Sequence, residues 1–202
     1  MRRTVFAPFV VFVAAAACSP KPTVTHAELR DELLSRLERD QAVRDTFQMQ
    51  LQATGTLTPA LVASMQRVDS ANLMWLRELI RAEGFPTRRQ VGTDAVKAAT
   101  LLVQHADADP AFQAEMLPTF ESRYQAGELG GQEVALLADR VAKAQKRRQR
   151  YGTQTTIVEG RVVIDPIDDS AHVDERRAAM GLPSLAAYKR VLDSLVARRG
   201  SG

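Results

Sequence analysis

The chain has 202 residues, 45% hydrophobic and 25% charged, with 27 basic against 24 acidic side chains and one cysteine. A single cysteine excludes an internal disulfide framework and a multi-thiolate metal cluster. The small charge excess gives no footing for nucleic-acid binding, and the length suits one hydrophobic core.

The amino terminus, "MRRTVFAPFVVFVAAAAC", reads as a leader rather than as part of the fold. Arg2 and Arg3 form a positive start, an apolar stretch runs from Val5 to Ala17, and small residues lead directly to Cys18. The apolar stretch is too short for a stable membrane anchor, and Pro8 interrupts it. Residues 1–17 are therefore read as a signal peptide. The small residues before the cysteine resemble the bacterial lipoprotein cleavage box, with Ala15 standing where leucine is usual. That resemblance implies acylation of Cys18 and attachment to a membrane. Ser19 after the cysteine implies outer-membrane sorting, with the domain facing the periplasm; a secreted or soluble periplasmic protein is the alternative. Removing Arg2 and Arg3 leaves 25 basic against 24 acidic side chains, so the basicity belongs largely to targeting.

Residues 18–25, the cysteine followed by "SPKPTVT", form a polar tether. A long amphipathic helix is predicted over about 26–53, capped by Thr25 and carrying Leu29, Leu33, Leu34, Leu37, Phe47 and Leu51. Thr58 and Pro59 open a second helix with Leu61, Met65, Val68, Leu76 and Ile80, ending at Gly84. The two should pack as an antiparallel hairpin. Trp75 lies in this second helix and reads as core or groove lining.

A third helix, capped by Thr93 or Asp94, has almost no polar side from Ala95 to Val103 and should be central. Asp109 and Pro110 open a fourth, which Pro118 should kink or restart. A fifth is predicted over 132–149, beginning "EVALLADRV" and ending in the basic "KAQKRRQR". That end suits the helix dipole and offers a surface for anionic lipid.

"YGTQTTIVEGRVVIDP" then changes the pattern to a β-hairpin over about 153–165. A two-residue turn at Glu159 and Gly160 places Ile157 opposite Val162, Thr155 opposite Ile164, and Gln154 opposite Asp165. Gly152 allows a sharp entry to the first strand. Two helices close the chain, about 170–180 with Gly181 behind it, and 184–198 with Ser184 as N-cap. The fold class is all-α: one domain over 26–202, about seven helices and one small hairpin.

Several polar landmarks interrupt this frame: "GFP" at 84–86, "VG" at 91–92, "LLVQHADADP" at 101–110, "ALLADRV" and "YGTQ". Their order resembles a bacterial family known only as domain of unknown function 6624, from about Trp75 to Gly181. The resemblance implies the domain and brings no activity, substrate or cofactor.

The chemistry must come from the residues. His105 has an imidazole near neutrality and can act as a general base, with Asp139 to orient it and Arg140 to meet a developing anion. The structural alternative makes His105 a satisfied histidine that fixes the packing of the third and fifth helices. No serine or cysteine nucleophile accompanies these motifs, so a hydrolase here would have to activate water. Gln104, Tyr151, Thr153, Gln154 and Arg77 complete the polar group, as ligand-binding candidates within one shared network. His105, Asp107 and Asp109 could offer a metal an N,O,O set, but Asp109 is better explained as a helix cap. No metal or cofactor is expected. The functional expectation is a lipid-anchored envelope protein with a binding or structural module, the alternative being a water-activating hydrolase based on His105.

Overall fold

The computed structural model describes residues 24–158 and 161–200. The predicted leader, Cys18 and most of the tether lie outside them, as do Glu159 and Gly160. The described chain forms α1 (Ala27–Thr54), α2 (Pro59–Glu83), α3 (Arg88–Gln104), α4 (Pro110–Gln125), α5 (Gly131–Ala144), β1 (Thr155–Val158), β2 (Arg161–Ile164), α6 (Val173–Ala179) and α7 (Leu185–Gly200). The fold is mainly helical with one two-stranded antiparallel sheet. No described helix is long and apolar enough to cross a membrane.

α3 is the axis of the body. Val91, Ala95, Val96, Ala98, Ala99, Leu102 and Val103 are all buried, so small residues alternate with branched ones against α1, α2, α4 and α5. Around it the core takes Leu33 from α1, Leu76 from α2, Phe112, Met116 and Phe120 from α4, and Leu137 and Val141 from α5. Phe120 packs tilted on Phe85, with ring centroids 5.4 Å apart.

Most predicted helix starts are made by the expected side chains. Thr58 Oγ1 accepts from the Leu61 amide at 3.3 Å, Asp109 Oδ1 from Phe112 at 3.0 Å, and Ser184 Oγ from Ala187 at 3.3 Å. Each satisfies an amide that the first helical turn leaves unpaired.

Four boundaries differ from the sequence reading. The N-cap of α1 is His26, one residue beyond Thr25. α3 starts at Arg88, where Thr87 and Gln90 form a reciprocal capping box, and its regular course breaks only at Gly92, with φ 83° and ψ 165°. The expected loop over "PTRRQVGTD" with a cap at Thr93 or Asp94 is corrected: the first turn already forms at Arg88, and Gly92 kinks the helix. α4 continues through Pro118. α5 stops at Ala144, five residues short of Gln149, because Lys146 takes a left-handed conformation at φ 56°. The Lys146 and Arg147 amides then donate to the carbonyls of Lys143 and Ala142, which closes the helix end.

The hairpin has the predicted register: Thr155 pairs with Ile164, Ile157 with Val162, and Val158 with Arg161. The Asp165 amide donates to the Gln154 carbonyl at 3.1 Å, extending the ladder one step. Gly152 has φ 72°, and a β-carbon there would press on Leu185 and Ile167. The glycine therefore serves both the turn and the close approach of α7.

Candidate functional site

The predicted polar group is divided between two centres. The first surrounds His105, the residue that terminates α3. Its Nδ1 lies 2.9 Å from both carboxylate oxygens of Asp40, a side chain of α1 with no solvent exposure. Arg44, one helical turn further on, places Nε 3.2 Å from Asp40 Oδ1 and 3.0 Å from His105 Nδ1. One ring nitrogen cannot donate to the carboxylate and accept from the guanidinium together. A lone pair facing Asp40 would be repelled, so Nδ1 carries the proton and donates it to Asp40, which also accepts from Arg44. The same guanidinium reaches Asp69 of α2 at 2.6 Å through its second terminal nitrogen.

This arrangement sets the charges. Burial raises the Asp40 carboxyl, but the hydrogen bond and charge of His105, the charge of Arg44 and the amide of Gln41 outweigh it, holding the group below its ordinary range. Burial pushes Asp69 up; Arg44 opposes this and the neighbouring Asp40 reinforces it. With Nδ1 committed to Asp40, Nε2 is the ring nitrogen left for another partner. Among the described residues Nε2 has no hydrogen-bond partner, and it is not sealed from solvent.

The rest of "QHADADP" has separate tasks. Gln104 donates to the Glu133 carbonyl of α5 at 2.9 Å, leaving its buried Oε1 without a partner. Asp107 pairs with Arg140 and accepts from Gln113. Gln113, itself buried, also donates to the carbonyls of Val103 and Gln104, closing the end of α3. Asp109 caps α4 and pairs with Arg77. The Phe112 amide and Arg77 hold its carboxyl below the usual range despite some burial. Among the described residues no histidine, cysteine, aspartate or glutamate group is arranged to hold a metal ion.

The second centre is built on Asp139. Its carboxylate, with no solvent exposure, accepts from the amides of Arg150 at 2.6 Å, Tyr151 at 2.9 Å and Thr153 at 2.9 Å, and from Thr153 Oγ1 at 3.0 Å. The expected role of Asp139 as orienter of His105 is thereby corrected. Asp40 holds the imidazole, and Asp139 organises the chain leaving α5. Adjacent residues on a helix point about 100° apart, so Asp139 turns to the 150–153 loop while Arg140 turns to Asp107. Of the predicted residues, Arg140 and Arg77 reach the chain just after His105, pairing with Asp107 and Asp109.

Tyr151 enters the second centre through its peptide groups. Its amide binds Asp139, and its carbonyl accepts from Arg177 Nη1 at 2.6 Å. Arg177, from α6, is 1% exposed and also donates to the Pro183 carbonyl. A buried anion and a buried cation thus hold the backbone of one residue, the anion at its N–H and the cation at its carbonyl. Burial raises the Tyr151 phenol. Gln154 donates its amide to Gln149 Oε1 at 2.8 Å, and Gln149 Nε2 returns bonds to the carbonyls of Gln154 and Asp165.

Asp40, Arg44, Asp69, Gln113, Gln149 and Arg177 were not among the predicted site residues. Asp40 did carry a signal, since it falls seven residues after Leu33 and three after Leu37 on the buried stripe of α1.

These features define a class: a small helical domain with a short hairpin, organised by two buried carboxylates on different helices. Within that class the chain belongs to the family of unknown function DUF6624, which it matches over residues 27–199. No curated protein and no solved structure matches it.

Proposed function

We propose that this chain is an exported, lipid-anchored envelope protein whose helical domain binds its ligand at the His105 centre. The leader-like residues 1–17 and Cys18 motivate the localisation. The observation that supports the binding site is the pairing of His105 with Asp40. A histidine retained only for packing has both ring nitrogens satisfied, whereas Nε2 here is unbonded among the described residues and open to solvent. The buried carboxylate fixes the orientation of the ring, so the free nitrogen is preorganised for one hydrogen bond to a ligand. Arg44 lies against the ring and is itself held by Asp69.

The same pair favours a second reading, a water-activating hydrolase. A carboxylate-oriented imidazole with one free nitrogen is a general-base arrangement. The base would be His105 and the positioning group Asp40.

His105→Asn tests the binding site, because asparagine keeps a donor near Nδ1 for Asp40 and deletes Nε2. The full chain in detergent is screened by thermal shift against soluble peptides, sugars and organic acids, alongside the variant. A compound that raises the wild-type melting temperature should leave the variant unmoved, while the unliganded proteins melt alike. An equal response from both would overturn the binding site, and turnover of a screened ester or amide, lost in the variant, would select the hydrolase. The anchor is tested separately: labelled palmitate should mark the wild type in cells and leave Cys18→Ala unmarked.

A further inference from the structure

Basic side chains concentrate at and just after the C-terminal end of α5. A cavity of about 350 Å³ opens between the C-terminal end of α5 and the close of β2, with Lys143, Lys146, Arg147, Arg148, Gln154 and Asp165 among its walls. We propose that it is an anion site for a phosphate-bearing group. None of its side chains takes part in the His105 centre, so it stands independently of the function proposed above.

The charge argument rests on which cations are already engaged. Lys143 is 2.6 Å from Asp165, so that pair is close to neutral. Arg147 donates to the neutral amide oxygen of Gln145, and Arg148 to the carbonyl of Ile167. Among the described residues no carboxylate lies within ion-pair distance of Lys146, Arg147 or Arg148. Three exposed positive charges thus converge on one opening, in a protein whose Arg30, Arg44, Arg77, Arg123 and Arg140 are each held by an acid. Two of the three are guanidinium forks, which suit an anion carrying several oxygens.

The floor of the cavity is rigid. Gln149 is 2% exposed and spends both ends of its amide on the backbone of Gln154 and Asp165. The loop beside it hangs from Asp139. The end of α5 would ordinarily repel an anion, since helix carbonyls there carry partial negative charge. Here the carbonyls of Val141, Ala142 and Lys143 already accept from Gln145, Arg147 and Lys146.

The backbone of Lys146 is a separate observation pointing the same way. Its φ of 56° is the left-handed conformation that closes a helix and that glycine adopts without strain. A lysine stands where a side chain is disfavoured, and it lines the cavity. Strain of this kind gathers at functional positions.

The shared ligand chemistry is a phosphate ester or free phosphate, whether soluble or on a lipid. The test uses the full chain in detergent or on vesicles. Calorimetric titration with inorganic phosphate and with glycerol 3-phosphate reads the soluble source. Co-sedimentation with phosphatidylglycerol vesicles, against phosphatidylcholine alone, reads the lipid source. Binding to either, weakened at least tenfold in Arg147→Gln/Arg148→Gln, supports the site and names its source. Lys146→Gly should weaken the same binding while raising the melting temperature, a split that general loss of structure cannot produce. Absence of binding to all the phosphate probes, or binding unchanged in the double variant, would overturn the proposal.

Discussion

Replacing Asp139 by asparagine tests whether one carboxylate holds the chain between α5 and β1. The amide keeps a single acceptor oxygen, which can still serve the Arg150 and Tyr151 amides that now share Oδ1. At the Oδ2 position an NH2 group faces the buried amide of Thr153, donor against donor, while Thr153 Oγ1 can rotate to accept. One buried unsatisfied amide costs about 1–3 kcal/mol, and the surviving bonds lose their charge assistance. The expected loss is about 3 kcal/mol, or roughly 6–12 °C for a domain of this size. Scanning calorimetry of the full chain measures the shift, and hydrogen exchange at residues 150, 151 and 153 locates it. A melting temperature within about 2 °C of wild type, with those three amides still protected, would refute the assignment of Asp139 as the anchor.

The remaining expectations concern other parts of the molecule. Asp40 is held below its ordinary value of 3.8, so its stabilising effect is complete above that value and is lost as pH falls through the lower folded value. The stability advantage of wild type over Asp40→Asn should therefore be constant near neutrality and shrink below about pH 4 in urea unfolding. Lys146→Gly removes a left-handed side chain and should stabilise by about 0.5–1 kcal/mol, read as a rise of roughly 1–4 °C. Gly131→Ala would drive a β-carbon into the Met180 carbonyl at the end of α6. A loss of about 1–3 kcal/mol is expected in calorimetry, and an unchanged melting temperature would mean that α5 and α6 are not packed as described.

The fold was legible where periodicity and capping chemistry agree. The stripe of α2, the apolar sweep of α3, and the caps at Thr58, Asp109 and Ser184 stand where the residue types place them; the stripe of α1 packs on the core from Leu29 to Leu37, while Leu51 at its far end is exposed. The hairpin register followed from the two residues left between Val158 and Arg161. The end of α5 was not legible, because "AKAQKRRQR" favours helix and nothing in it announces a left-handed lysine at 146.

The site was legible only in part, for a geometric reason. "QHAD", "DR" and "YGTQ" each do hold the fold at a polar junction, but a linear pattern does not say which carboxylate meets which partner. Asp139 was assigned to His105 because both sit on buried helices, while the true partner lay 65 residues upstream. An aspartate on an otherwise leucine stripe is the visible trace of that contact, since an apolar position holds a charge only when another element answers it. Arg177 left no comparable trace, because its partners are backbone carbonyls, which every residue type supplies equally.

The backbone of residue 151, its N–H held by Asp139 and its carbonyl by Arg177, has a consequence for the order of assembly. The hairpin, α6 and the start of α7 acquire their positions through that junction, with Tyr188 adding its hydroxyl to the Thr153 carbonyl. Until α5 has docked on α3 and presented its carboxylate, the C-terminal residues lack this fastening. They should therefore close late and open together, as a single cooperative flap behind a helical body that forms without them.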